Sequence, residues 1–286
     1  MKKIEQHTFR LKNINEEWDL EDLDDILSNV DSGKRLYLDG AILTPKELSL
    51  FYILTNQKEK VRSYLQLWVD MGIEHFNRCL ATSDISIQLG ERSFVVTPED
   101  EEHKSRASAY EWYNLFFPTY ICQYKSRYNE LLEFDKKVLF KDDNAFFEYM
   151  IEFLLAIFDK NDELIEKNRQ LIADMTKTGE TTFIGLGGNR PMTHNRKIAD
   201  MRKVLDQPII DLFWYAYQND EANFNTELVR YFEAKKVYIK KRKEESDWDH
   251  WVDFPALGAC KYATEQGINI NVESNYIPAF LYKSEF

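Results

Sequence analysis

From Ile209 to Tyr217 almost every residue is apolar, and the run lies between Pro208 and Asp220. Such a stretch reads as a helix buried on most of its circumference, and it demands other helices around it. Asp220 then opens a second helix, with Phe224, Leu228, Tyr231, Phe232, Tyr238 and Ile239 on one stripe. After a Trp-rich connection, Asp253-Phe254-Pro255 starts a third helix that Gly267 closes. A short Ile/Asn/Val run leads on to Glu273-Ser274-Asn275-Tyr276-Ile277-Pro278.

The rest of the chain repeats this grammar. Thr44-Pro45-Lys46-Glu47 reads as a helix start, with Thr44 as cap and Glu47 returning the capping-box bond, and the helix runs to about Asn56. Glu59 to Ala81 carries Val61, Leu65, Trp68, Val69, Phe76 and Leu80 on one side. Ile85 to Leu89 and Phe94 to Val96 alternate about Gly90-Glu91, which predicts a small β-hairpin. Thr97-Pro98-Glu99-Asp100 repeats the cap-then-proline start for a helix to about Phe117, and Pro118 begins another that reaches about Phe134. Asp142 or Asp143 opens an apolar helix containing Phe147, Met150, Ile151, Leu154 and Phe158. A turn at Lys160-Asn161-Asp162 leads into Leu164, Ile165, Leu171, Ile172 and Met175. The expected fold is all-α, an irregular stack of antiparallel helix pairs like a short α-solenoid or bundle, with a minor β-hairpin. It is read as a single helical domain, 1–286. Its parts are an acidic segment 1–44, helical pairs 45–175, a loop 176–196 and a C-terminal helical unit 197–286.

Charge narrows the function classes. The formal balance is 37 − 49 = −12, which repels nucleic acid and anionic membranes and favours a basic partner. Residues 15–32 hold eight acids and no base, with Trp18, Leu23, Ile26, Leu27 and Val30 spaced as the dry side of an amphipathic helix. Those acids read either as a solvated face or as a docking surface for a cationic protein. Cys79, Cys122 and Cys260 are widely spaced among apolar neighbours, as expected of buried thiols in a reducing compartment. The N-terminal residues lack the apolar core of a secretory signal, and the longest apolar run, Tyr149 to Phe158, is too short to cross a bilayer. The expected location is the cytoplasm.

Candidate chemistry is sparse. Gly185-Leu186-Gly187-Gly188, within the glycine-rich stretch 176–195, lacks the Gly-Lys-Ser/Thr ending of a nucleotide loop and a preceding strand. His75 and Cys79 are four apart on one helix, but no second His/Cys pair completes a tetrahedral metal set. Asp249 beside His250 could support general-base work, although adjacent residues point different ways. Asp253 is better read as a helix cap. The run Lys235, Lys236, Lys240, Lys241, Arg242, Lys243 suits the negative end of a helix dipole. These residues give no reason to expect an enzyme, a cofactor or a bound metal.

The C-terminal part of the chain, most clearly about its last seventy residues, resembles the immunity protein 49 family of bacterial polymorphic-toxin systems. The resemblance lies in Asp220-Glu221-Ala222-Asn223-Phe224-Asn225-Thr226-Glu227-Leu228, in Trp251 with Phe254-Pro255-Ala256-Leu257-Gly258-Ala259, and in Gly267 with Val272-Glu273-Ser274-Asn275-Tyr276-Ile277-Pro278. It implies an all-helical protein, made beside a toxin, that binds and neutralises that toxin without cofactor or catalytic residue. On that reading Phe224, Leu228, Trp251, Pro255, Gly267, Tyr276 and Pro278 are structural. The candidate toxin-binding residues are Glu17, Glu21, Asp22, Asp24 and Asp25 on the acidic face, and Glu180, Arg190 and His194 in the loop 179–194. The toxin could be a basic nuclease, captured through electrostatic steering. Two rivals stand beside it: a helical scaffold for partners unrelated to toxins, and a small metal-dependent hydrolase built on Asp249, His250 and the glycine loop.

Overall fold

The computed structural model describes residues 1–5, 16–31, 38–90, 92–99, 107–134, 145–181, 193–244 and 250–286. It is predominantly α-helical, with only short strand pairs among the described residues. The chain forms two compact units, Phe9–Leu139 with Phe286, and Met1–Thr8 with Phe140–Glu285. The first strand, β1 (Lys2–Lys3), belongs to the second unit.

The unit of residues 9–139 contains helices α1 (Glu16–Asp31), α2 (Leu38–Ala41), α3 (Leu43–Leu54) and α4 (Lys58–Leu80). The hairpin β2 (Ile85–Leu89) and β3 (Arg92–Val96) follows, then α5 (Ala109–Ile121) and α6 (Lys125–Glu133). The hairpin pairs in register from Ile85 with Val96 to Leu89 with Arg92, turning on Gly90 at φ +61°. Three helix starts differ from expectation. Helix α3 begins at Leu43, so Thr44 lies inside it and does not cap it. Ile42 is already helical there and its N–H reaches Leu38 O at 3.0 Å, so the chain enters α3 wound and Thr44 has no orphan amide to cap.

The second difference concerns proline. Pro118 lies within α5 and does not start a new helix; the true start is Ser108, whose side chain accepts from Glu111 N at 3.2 Å. An interior proline costs about 3 kcal/mol in an isolated helix. Here Trp112, Phe116 and Phe117 are all buried on the same helix, and their burial offsets that loss. Thr97-Pro98 opens no helix at residues 97–99. Glu99 instead pairs with Arg78 at 3.1 Å, both side chains being buried.

Helix α4 is nearly all buried from Trp68 to Phe76, including Asp70 and Glu74. Buried carboxylates need partners. Arg127 of α6 supplies them, with Nε 2.8 Å from Asp70 Oδ1, Nη2 2.8 Å from Glu74 Oε1 and Nη1 2.7 Å from Glu130 Oε2. Gln88 N and Gly90 N also donate to Glu74 and Asp70, which ties the hairpin to α4. Burial raises the Asp70 carboxyl, and Arg127 opposes that rise.

The other unit holds α7 (Ala145–Asp159), α8 (Asp162–Thr178), β4 (Glu180–Thr181), β5 (Thr193–His194) and α9 (Arg196–Leu205). Next come α10 (Gln207–Tyr217), α11 (Glu221–Arg242), α12 (Phe254–Glu265), β6 (Val272–Glu273) and α13 (Ala279–Tyr282). β1 pairs in parallel with β6, Lys2 opposite Val272. Asp220 and Asp253 cap where the sequence places them, accepting from Asn223 N and Ala256 N, and in the expected turn at 160–162 Asn161 is the cap, accepting from Leu164 N. Ile209, Ile210, Leu212 and Phe213 of α10 are buried, as their apolar run requires. The starting residues Asp142 and Asp143 lie outside the described residues.

Candidate functional site

Helix α1 presents an acidic face. Leu23 and Leu27 are buried, which turns Glu17, Glu21, Asp22, Asp24 and Asp25 outward, and all five are exposed. The side chains of Trp18 and Val30 lie outside the described residues. Glu16, on the same helix, is an anchor: Tyr52 OH donates to it at 2.9 Å and Lys60 Nζ lies 3.0 Å away. The Lys60 bond, then the Tyr52 bond, holds the Glu16 carboxyl below its ordinary value. A helix fixed at this end carries its five exposed carboxylates on a set surface.

The loop candidates divide. Glu180 and His194 are cross-strand partners of β4 and β5, so the backbone brings them together. Arg190 and the Gly185–Gly188 run lie outside the described residues, and so does the side chain of His194. The expected loop start at Thr176 is too early, since α8 continues to Thr178. Gly179 closes that helix in the left-handed conformation, φ +63°, and Asn195 N donates back to Gly179 O at 3.2 Å. A Cβ on Gly179 would stand 2.1 Å from Asn195 O, so only glycine allows this neck.

Arg202 fixes the neck from below. Its Nη1 donates to Met175 O at 3.2 Å and to Glu180 O at 2.6 Å, and its guanidinium lies 3.8 Å from the Phe146 ring centroid. Burial lowers the Arg202 guanidinium to about 10, against the raising influence of Asp206 and Glu180. Burial pushes the Asp206 carboxyl up to about 7, with Arg202 pulling it down. Neither Gly179 nor Arg202 stands out as a site residue in the sequence. The Lys-Thr-Gly ending of α8 is a helix C-terminus signal that marks the glycine; nothing local marks the arginine.

A second constellation joins the three C-terminal stretches. Asp253 caps α12 and also accepts from Tyr231 OH and Lys235 Nζ, each at 2.5 Å. Asp253 N donates to Tyr276 O at 2.8 Å, and the Tyr276 ring stacks on Phe232 at 5.2 Å and 13°. Phe224, Leu228, Trp251 and Tyr276 are buried, Pro255 sits in the first turn of α12, and Gly267 follows that helix at φ +89°. Pro278 occupies the N-cap position of α13. Lys235 therefore leaves the basic run: it is a buried ion-pair partner, unlike exposed Arg242, which pairs with half-buried Glu244.

Three of the remaining chemical candidates, His250, His75 and Cys79, lie among the described residues. Asp249 lies outside the described residues, and His250 Nε2 is 3.4 Å from Glu244 Oε2. His75 and Cys79 meet each other in the interior, Sγ 3.8 Å from Nε2. Among the described residues no group of three His, Cys, Asp or Glu side chains is placed to hold a metal ion. Nor is any helix among them long and apolar enough to cross a membrane. The three cysteines are buried and form no disulfide among the described residues, and burial pushes the Cys122 thiol up to about 12.

The family model described as immunity protein 49 matches residues 57–281, well over half of the 286-residue chain. No curated protein and no solved structure gives a significant match. The matched span takes in both the neck at Gly179 and the Asp253 constellation, and it begins after α1.

Proposed function

The chain belongs to the immunity protein 49 family, and on that premise we propose that it protects the cell that makes it by binding a cognate toxin protein in a stoichiometric, inactive complex. The observation that carries this reading is the family match across residues 57–281. Pre-formed helices support it, because a surface ordered before binding loses little entropy on association. Binding without transformation fits a sequence in which no set of residues spells out an active site.

The toxin would be the product of the adjacent gene and basic, a nuclease being one such protein. Five exposed carboxylates on one helix raise the encounter rate with a cation-rich surface. That face lies before residue 57, so its role is argued from charge alone and not from the family. The protein would meet its toxin in the cytoplasm, where both are made.

Co-expression with the neighbouring gene's product tests this. Cells carrying both should survive, and the two proteins should co-elute at a fixed ratio on gel filtration. Equal killing with and without this chain, together with separate elution, would sink the proposal.

A further inference from the structure

Helices α8 and α9 enclose an open cavity of about 700 Å³. Its α8 wall carries Thr176 and Lys177, and its α9 wall carries Arg196, Asp200 and Lys203 at helical spacing; Gln207 lies at the end. Three cations thus face one carboxylate in a protein whose formal charge is −12. Lys177, Arg196 and Lys203 are exposed and make no ion pair among the described residues. Elsewhere the guanidiniums are held: Arg127 by three carboxylates, Arg78 by Glu99 and Arg230 by Glu227. Three converging cations with a single carboxylate among them conflict with folding electrostatics, and such conflicts concentrate at functional sites.

Two further observations point to a ligand. Thr176 is buried, lines the cavity, and its hydroxyl has no hydrogen-bond partner among the described residues; Gln207 Oε1 is likewise unpartnered. The walls are also rigidly set, by Gly179 at the neck and by Arg202 across the end of α8. A preset cavity of this size falls in the range of about 300–1,000 Å³ used for specific binding.

We infer that this cavity is an oxyanion site: Arg196 offers a fork of N–H donors, Lys177 and Lys203 offer point charges, and Thr176 offers a hydroxyl. The group bound carries at least two anionic oxygens. It is supplied either by an acidic side chain of a bound protein or by a free phosphate compound, and the experiment separates these sources.

Calorimetric titration of the chain with sodium pyrophosphate at low salt forms the first arm. The comparison pair is Arg196→Glu with Lys203→Glu against Lys125→Glu with Lys283→Glu, two exposed lysines outside the cavity that give the same change in net charge. The second arm measures the affinity of the co-expressed toxin for both double variants, each first shown by circular dichroism to melt like the parent. Saturable pyrophosphate binding that the cavity pair weakens by about tenfold or more, and the control pair does not, assigns the site to free phosphate compounds. Selective weakening only in the toxin complex assigns it to an acidic side chain. The inference is overturned by equal effects of both pairs, or by no saturable titration together with no selective loss in the complex. Should no toxin complex form, the titration alone decides, and the inference stands or falls separately from the proposed function.

Discussion

Lys235 Nζ lies 2.5 Å from Asp253 Oδ2, and both side chains are buried. A lone lysine there would be uncompensated in a low-dielectric setting, whereas the pair also serves α12, because Asp253 caps it. Asp253→Ala should therefore remove the cap and strand the ammonium together, costing about 3–5 kcal/mol in urea unfolding. Lys235→Met should cost less, about 1–3 kcal/mol, since Tyr231 OH and Ala256 N still satisfy the carboxylate. Equal losses would mean that the two acidic-site roles are not separable.

Arg127→Met should destabilise the unit of residues 9–139 by about 3–5 kcal/mol, because Asp70 and Glu74 lose their shared cation inside the protein. Burial already raises the Asp70 carboxyl, and without Arg127 it rises further. The folded variant then binds more protons than its unfolded chain, so its stability should recover as pH falls. Hydrogen exchange of α4 amides at pH 5 and pH 8 checks this; protection that does not improve at pH 5 would contradict it.

Asp206 gives a second pH dependence. Folded, it keeps its proton up to about pH 7; unfolded, it releases it near pH 4. Folded protein thus binds more protons over that interval, and stability falls as pH rises from about 4 through about 7. Asp206→Asn should remove this decline and gain on the order of 2 kcal/mol at pH 8 relative to pH 5. Urea midpoints across pH 5 to 8 measure it.

Gly179→Ala and Gly90→Ala form a contrast. Both glycines have positive φ, but a Cβ at 179 meets Asn195 O at 2.1 Å while one at 90 meets nothing within 4 Å. Gly90→Ala should cost about 1 kcal/mol of backbone strain. Gly179→Ala should cost more, about 2–4 kcal/mol, because the neck must also shift. Similar losses at the two sites would remove the neck from the account.

Reversing Asp22, Asp24 and Asp25 to Lys should leave thermal stability within about 0.5 kcal/mol, since all three are exposed. Association with the toxin should slow by about tenfold or more and lose its salt dependence. Stopped-flow rates at two salt concentrations report both; unchanged rates would take α1 out of the binding surface.

What the sequence revealed follows from where each signal lies along the chain. The caps Asn161, Asp220 and Asp253 act on amides three residues away, so they can be read from neighbours. The hairpin at Gly90 and the buried α10 are local patterns of the same kind. Asp70 and Glu74 look like the wet side of α4, and only Arg127, over fifty positions later, makes their burial tolerable. No periodicity carries that. Pro118 misled for a similar reason: its local cost is fixed, but the aromatic packing that offsets it is tertiary. At the candidate site the exposed face of α1 follows from the spacing of Leu23 and Leu27, whereas the cationic cavity requires α8 and α9 to be placed side by side.

The closure at Gly179 and Asn195 draws the two ends of the intervening sequence together like a purse-string. Helices α8 and α9 are held by that knot and by Arg202. Lengthening such a segment twofold adds only about 0.6 kcal/mol of closure entropy. The position is therefore where a foreign peptide could be spliced in while the surrounding scaffold keeps its shape.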